Sequence, residues 1–371
     1  MKLRELLSGV SVLACTADME MEISGVSYDS RSVRPGDLFV AMTGFAVDGH
    51  KFIAAAQEKG AAAALCQKEP GGTLPYVRTE DSRRALAIVG ANWFGHPAKE
   101  MTMVAVTGTC GKTTTTYLLK AILEQAAGAK VGLIGTNQNM IGNAALPTDR
   151  TTPESFEVQK LFREMADGGC THVVMEVSSH ALAQSRVEGL IFQAGVFTNL
   201  TQDHLDYHGS MEAYRQAKGL LFRQCRKAVL NLDDPAGRWY GERVECPAFT
   251  YSENKDAACL TAKNIRLFPG HVEFEAVSRE DIQRIHLPIP GGFTIYNALA
   301  AISCGLCLGL TLADIAALTK LDYRARALTI LRGYLDDFNA QELADAIASA
   351  YEAAKFDDAA IAPTKKLDSN T

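Results

Sequence analysis

No apolar run in this chain approaches the roughly 20 residues that a membrane-spanning helix requires, so a helical membrane protein is not expected. The opening segment, Met1-Lys2-Leu3-Arg4-Glu5-Leu6-Leu7, has too little apolar length for a secretory signal. A cytoplasmic protein is expected. Basic residues are not in excess: 37 Lys and Arg face 43 Asp and Glu, for a net charge of -6. That balance argues against a general nucleic-acid binder, while leaving room for a local basic pocket that takes a phosphorylated substrate. There is no paired CxxC…CxxC spacing, and the cysteines number 9, an odd total. Neither a disulfide framework nor a zinc ribbon fits, and a reducing compartment does. The lone CxxC, Cys304 and Cys307, lies inside the apolar run AAISCGLCLGL and reads as two buried thiols on one helix face.

The chain has 371 residues, 47% of them hydrophobic, enough for roughly two to three domains, each with its own core. Residues 1–97 read as a small α/β unit. Its strand-like Asp37-Leu38-Phe39-Val40-Ala41 is followed by a helical run from Phe52 to Lys59, with turns at Arg34-Pro35-Gly36-Asp37 and Asp48-Gly49. The unit closes near Trp93-Phe94-Gly95-His96-Pro97. From 98 the rhythm changes. Strands are expected at Met101–Val106, Val131–Ile134, Val173–Val177, Gly195–Thr198 and Ala228–Leu230, with helices between them. This alternation predicts a doubly wound, mostly parallel sheet over residues 98–320, of P-loop type. Past residue 257 the pattern turns strand-rich around Pro269-Gly270, and a helix is expected over Ile295–Leu310. Ligands of such sheets bind beyond the carboxyl ends of the strands.

The segment Thr107-Gly108-Thr109-Cys110-Gly111-Lys112-Thr113-Thr114 stands at such an end. The usual phosphate loop has four residues between its first glycine and its Gly-Lys pair. Here only Thr109 and Cys110 intervene. The context is still that of a phosphate cradle: an apolar strand, a glycine turn that lets backbone amides approach oxygen, then a helix N-terminus. Lys112 can reach the β- and γ-phosphates, and Thr113 offers a hydroxyl to Mg²⁺. Gly108, Thr109, Gly111 and Thr114 complete the cradle. Glu176, at the end of the Val173–Val177 strand, offers the carboxylate oxygen that a hard cation prefers.

This compressed loop resembles the nucleotide loop of the Mur ligases, ATP-dependent enzymes that build the peptidoglycan stem peptide, and of the folylpolyglutamate synthases. Further segments favour the first. Met175-Glu176-Val177-Ser178-Ser179-His180 and Asn199 through Gly209 resemble the segments carrying the family's metal ligands, which implies Mg²⁺ at Glu176 and His204. In Tyr214-Arg215-Gln216-Ala217-Lys218-Gly219 the lysine matches the family's carbamylated lysine. A helical lysine is ordinarily a surface residue, and the role of Lys218 comes from the resemblance. A bare ammonium repels a metal, whereas its carbamate is effectively a long carboxylate. Asn231-Leu232-Asp233-Asp234 is similar to the hinge near the nucleotide, implying Asn231 and Asp233 there. Gly291-Gly292-Phe293-Thr294-Ile295-Tyr296-Asn297 is similar to the adenine-side motif, with Asn297 in place and Thr294 where Asn is usual.

The N-terminal unit narrows the match. Ser27 through Ala41, with Gly44-Phe45 and Asp48 to Phe52, is similar to the UDP-binding domain of the family members that add the third stem-peptide residue. The resemblance implies that Ser30 binds the uridine diphosphate. Thr151, Thr152, Ser179, Gln184 and Arg186 would hold the muramoyl dipeptide, Arg186 suiting an anionic substrate. It also implies the reaction. ATP phosphorylates the free D-glutamate carboxylate of UDP-N-acetylmuramoyl-L-alanyl-D-glutamate, and the amine of diaminopimelate or lysine attacks the acyl phosphate. Lys112, Lys218, Glu176 and His204 are the catalytic set so implied, with Thr113, Glu176, His204 and Lys218 around Mg²⁺.

The resemblance fades near Thr319-Lys320, and the family's Asp-Asn-Pro-Arg segment is absent. A chain without the third ligase domain is therefore expected. Residues 321–371 form a helical tail in this reading, with Asn339 and Glu342 placed as a capping box and Leu343, Ile347 and Tyr351 at helical spacing. The tail resembles the N-terminal region of threonine synthases, a pyridoxal-phosphate family, but holds no cofactor lysine. Three alternatives stay open: a module that binds ATP or the UDP-sugar without ligation, a folylpolyglutamate-synthase-like ligase, and a pyridoxal enzyme. The oligomeric state is not legible.

Overall fold

The computed structural model describes residues 1–44 and 47–318. The expectations for the tail at 321–371, and for Phe45, lie outside the described residues.

Two sheets organise the described chain. The first has five strands in the order Val12–Cys15, Tyr76–Thr79, Ala63–Cys66, Asp37–Val40, Gly25–Ser27. Only Val12–Cys15 runs antiparallel to its neighbour. Asp37–Val40 and Ala63–Cys66 are buried at every position, as expected for parallel strands covered on both faces. One face packs Leu38, Val40, Leu65 and Val77 on Leu3, Leu6, Leu86 and Val89. The other packs Phe39, Ala64 and Cys66 on Ile53 and Ala56.

The second sheet has eleven strands. Its middle is parallel, in the spatial order Leu260–Phe268, Ala248–Ser252, Ala228–Asn231, Ala194–Phe197, Thr102–Thr107, His172–Glu176, Val131–Ile134. Antiparallel pieces flank it: Asn139–Ile141 with Ala144–Leu146 on one side, His271–Ser278 with Ile282–Leu287 on the other. The mostly parallel, doubly wound sheet expected from the strand–helix alternation is present. Helices cover both faces. Lys112–Ala126, Phe293–Cys307 and Leu312–Leu318 close one core, and Ser155–Asp167 with Ser179–Ala183 closes the other. The expected helix over Ile295–Leu310 begins at Phe293 and ends at Cys307. Cys304 and Cys307 are buried free thiols on it.

Strand Thr102–Thr107 is the hinge of the topology. From it the chain crosses to Val131–Ile134 and returns to His172–Glu176 on one side, then continues with Ala194–Phe197 on the other. The order reverses at this strand. A reversal opens a crevice at the carboxyl ends, where Thr107, Glu176 and Phe197 end their strands.

Candidate active site at the strand ends

The turn after Thr107 is built for close approach. Gly108 takes φ 149° and Gly111 φ 83°, backbone geometry that side chains rarely tolerate. A Cβ on Gly108 would lie 1.9 Å from the Thr198 hydroxyl, and one on Gly111 2.3 Å from Asn297 Oδ1. Gly111 is the residue before helix Lys112–Ala126, so the helix dipole and its free amides face the crevice. The helix is held by its apolar face, where Leu118, Leu119, Ile122 and Leu123 join the core shared with Phe293–Cys307. That packing overrides the weak helix propensity of Thr113 to Thr116.

The neighbouring strand end frames the turn. Thr198 donates its hydroxyl to the Cys110 carbonyl at 2.7 Å. Asn199 brackets the same residue, accepting from the Cys110 amide at 2.9 Å and donating to its carbonyl at 3.1 Å. The sequence names Thr198 as a strand end and Asn199 as the start of the segment leading to His204, but assigns neither a role at the turn. Their signal was two polar residues at the carboxyl end of an apolar strand.

Two lysines meet on the turn. Lys112 Nζ donates to the carbonyls of Gly108 at 3.0 Å and Thr109 at 2.8 Å. Lys218 Nζ donates to the same Gly108 carbonyl at 2.8 Å. Lys218 comes from helix Met211–Gly219, capped by Ser210, whose hydroxyl accepts from the Ala213 amide. It is 1% exposed and lies over the Tyr214 ring at 4.5 Å. Among the described residues no carboxylate reaches it at ion-pair distance. Burial, and then the charge of Lys112, hold its amine well below the usual lysine range. Lys112 is also lowered by burial, with Glu176 pulling the other way.

Glu176 ends its strand fully buried. Thr136 grips both of its oxygens, the amide donating to Oε1 at 3.0 Å and the hydroxyl to Oε2 at 2.9 Å. A buried carboxylate held by neutral donors alone is costly, and it leaves lone pairs for a cation. The Glu176 carbonyl accepts from the buried Thr152 hydroxyl at 2.9 Å, and that hydroxyl accepts from the Ser178 amide at 3.1 Å.

His204 stands in the left-handed region at φ 51° and is the most exposed of the four implied catalytic residues. Its ring packs edge-on against His180 at 4.8 Å and against Tyr214 at 6.1 Å. Tyr214 in turn places its hydroxyl 3.2 Å from that of Thr109. The aromatic cluster thus ties His204 to the lysine helix and to the glycine turn. Thr113 and Thr114 are half-buried in the first turn of the helix.

On the other flank, Asn231 donates to the Thr198 carbonyl at 2.8 Å and accepts from the Asp233 amide at 3.0 Å. Asp233 collects the Ser252 hydroxyl at 2.7 Å, the Glu253 amide at 2.8 Å and the Tyr296 hydroxyl at 3.2 Å. Burial pushes this carboxyl up, but those donors outweigh it and hold the group below the usual range. Asn297 sits beneath Gly111. Thr294, which stands where the resembling motif has Asn, is buried and donates to the Pro290 carbonyl.

Arg186 gathers the remaining group. It donates to the Thr152 carbonyl and to Gln184 Oε1, and lies 3.6 Å from Glu154, which also meets Arg83 at 3.4 Å. Gln184 donates to the Tyr207 hydroxyl, the Thr151 and Thr136 hydroxyls lie 3.1 Å apart, and Ser179 is 2.9 Å from His208 Nε2. A cavity of about 360 Å³ opens beside this group, lined by Tyr28, Arg150, Glu154 and Glu157 among others. Ser30 occupies the turn after Gly25–Ser27. No hydrogen bond among the described residues joins its side chain to the central group, although burial and the neighbouring Glu157 push the Tyr28 phenol nearby up from its usual range.

Comparison with known proteins then decides the lineage. The Mur ligase middle domain matches residues 106–305, and the Mur ligase family catalytic domain matches residues 22–99. This chain belongs to the Mur ligase family. The UDP-N-acetylmuramoyl-L-alanyl-D-glutamate--2,6-diaminopimelate ligase of Clostridium botulinum is 44% identical over 303 residues, 79% of this chain and 62% of that protein. The ligase of the same name from Caldanaerobacter subterraneus is 43% identical over 332 residues, 88% of this chain and 68% of that one. A solved structure of a ligase so named superposes with a TM-score of 0.76 at 27% identity, covering 86% of this chain and 66% of the other. This Mur ligase chain therefore spans less than two thirds of the Clostridium botulinum relative. Among its described residues no helix is long and apolar enough to cross a membrane.

Proposed function

We propose that this chain performs the ATP-handling and substrate-gripping part of the ligation that adds diaminopimelate or lysine to UDP-N-acetylmuramoyl-L-alanyl-D-glutamate. The observation that carries this reading is the convergence of Lys112 and Lys218 on the Gly108 carbonyl, at 3.0 and 2.8 Å. It is joined by the buried carboxylate of Glu176, whose charge acts on Lys112. Residues 1–97 are the UDP-muramoyl substrate domain in this reading, and residues 98–320 the ATP domain.

The donor set fits a hard divalent cation. Thr113, Glu176, His204 and Lys218 would hold Mg²⁺, which when bound neutralises charge on the phosphate oxygens. Lys218 suits carbamylation, because CO₂ reacts with a neutral amine and this amine is buried where protonation is disfavoured. The remaining work falls to the chain itself. Lys112 turns from its own loop carbonyls to the β- and γ-phosphates. The amides of Gly111 to Thr113 cradle the same oxygens. Asn231, Asp233 and Asn297 border the nucleoside. Ser30 binds the uridine diphosphate. Arg186, with Thr151, Thr152, Ser179 and Gln184, fixes the muramoyl dipeptide so that a carboxylate oxygen faces the γ-phosphorus.

That oxygen attacks phosphorus and ADP leaves. The neutral amine of the incoming amino acid then attacks the acyl carbon, phosphate departs and the nitrogen gives up a proton. The relatives are named as diaminopimelate ligases, so diaminopimelate is the first amine to offer.

The test is coupled phosphate release by the full chain with ATP, Mg²⁺, the UDP-muramoyl dipeptide and diaminopimelate or lysine. Release that needs both the dipeptide and the amine supports the proposal. Binding of ATP and dipeptide without release reduces the chain to a binding module. Preference for a folate over the UDP-sugar overturns the substrate assignment.

A further inference from the structure

The sheet edge far from the glycine turn carries a second cluster of ligand-type side chains. Strands His271–Ser278 and Ile282–Leu287 pair antiparallel with Glu273 directly opposite His286. Val272, Phe274, Ile285 and Leu287 point into the core. By the alternation of a strand, His271, Glu273, Arg284 and His286 share the outer face. His271 Nε2 lies 3.8 Å from Glu273 Oε1, and His286 Nδ1 lies 3.4 Å from that same oxygen. The three ligand atoms all fall within 4.8 Å of one another. In a tetrahedral site with bonds of 2.0–2.1 Å, neighbouring ligand atoms are roughly 3.3–3.4 Å apart. One pair already has that spacing, and the others need a contraction that side-chain rotation on this partly open face can supply.

An ordinary cross-strand ion pair is the simpler reading of one His opposite one Glu. Three features go beyond it. Both imidazoles aim at a single carboxylate oxygen. The other oxygen is engaged separately by Arg284 at 3.3 Å, with Arg284 also reaching Glu275 at 3.3 Å, which is how an outer partner orients a ligating carboxylate. Phe268 stacks on the His271 ring at 4.2 Å and 11°, fixing its plane. We propose that His271, Glu273 and His286 form a site for a borderline divalent transition ion of the Zn²⁺ class. It is a two-histidine, one-carboxylate set with a fourth position open to water. Its ligands come from both strands of the edge pair, so the ion would clamp the last strand of the large sheet. The neighbouring guanidinium sets the affinity below that of a closed four-ligand site. This proposal does not depend on the ligase reading.

The experiment titrates the full chain with Co²⁺ in excess Mg²⁺, read by visible absorption. The expected result is a tetrahedral band without the near-ultraviolet transition of a thiolate ligand. His271→Asn, Glu273→Gln and His286→Gln each weaken it by more than about tenfold, while His204→Gln keeps it. All three changes lie on the outer face, so metal-free melting temperatures should match the parent. If one variant fails to fold, the other two decide. A parent chain without the band, a band that survives in the edge variants, or one that vanishes only with His204→Gln overturns the proposal.

Discussion

Glu176 shows what a single residue discloses and what it withholds. The sequence offered a carboxylate at a strand end, and the structure puts it at the end of His172–Glu176, next to the strand that runs into the glycine turn, fully buried. It did not offer Thr136, which lies 40 positions away in sequence and supplies both donors. The same limit hid Thr198 and Asn199 behind the glycine turn, and Glu154 behind Arg186. Spacing along the chain reveals partners on one element, but partners on different strands meet only through topology. Thr136→Val keeps the amide and removes the hydroxyl, so Glu176 loses one of its two clamps. The chain should stay folded, with a cost of about 1–3 kcal/mol. Divalent-ion affinity in the presence of nucleotide should fall by about tenfold or more, as read by Mn²⁺ binding in paramagnetic resonance.

At the level of elements, the buried parallel strands were the most legible. Runs such as Val131–Ile134 and Ala228–Leu230 carry no polar side chain because both faces are covered. The short hairpin Asn139–Ile141 and Ala144–Leu146 was not read, since three-residue strands carry no periodic signal. Nor was the helix Leu312–Leu318, which packs back into the same core as helix Lys112–Ala126. Asp234 illustrates how one cap joins two elements. Its Oδ1 accepts from the Ala236 amide at 2.7 Å at the start of helix Pro235–Gly241, and Oδ2 from the Leu200 amide at 2.8 Å. Asp234→Ala should therefore cost about 1–2 kcal/mol in urea unfolding. It should also loosen the loop that begins at Asn199, seen as faster amide exchange at Leu200. Unchanged exchange there would dissociate the cap from the loop.

For the whole molecule, the charge buried under the glycine turn predicts how stability follows pH. The folded-state lysine at 218 is lowered from its ordinary value of 10.5. The unfolded chain thus binds this proton more tightly, and stability rises with pH as the difference in bound protons closes. The buried cysteines have the opposite sign, raised from an ordinary 9.0, so their contribution is lost at higher pH. Below pH about 8.5 the lysine effect should dominate. In CO₂-free buffer the parent chain should gain stability between pH 7 and pH 8.5, and Lys218→Met should flatten that slope, leaving a smaller rise from Lys112. Equal slopes in chemical denaturation would remove Lys218 as the source.

The two-sheet architecture and the crevice at the reversal strand were legible because strand–helix alternation dictates them. The contacts through which Thr152, Arg186 and Glu154 join the neighbourhood of Glu176 were not. The account rests on a triphosphate held by the shortened turn, and calorimetric titration of the full chain with a non-hydrolysable ATP analogue and Mg²⁺ tests it most directly. One nucleotide should bind per chain, and binding should be lost in Gly111→Ala, whose added Cβ meets Asn297 at 2.3 Å; a side chain at this positive φ should cost about 1–2 kcal/mol, and circular dichroism should show that the variant stays folded. A parent chain that binds no nucleotide, or a Gly111→Ala chain that binds it equally well, would contradict the assignment.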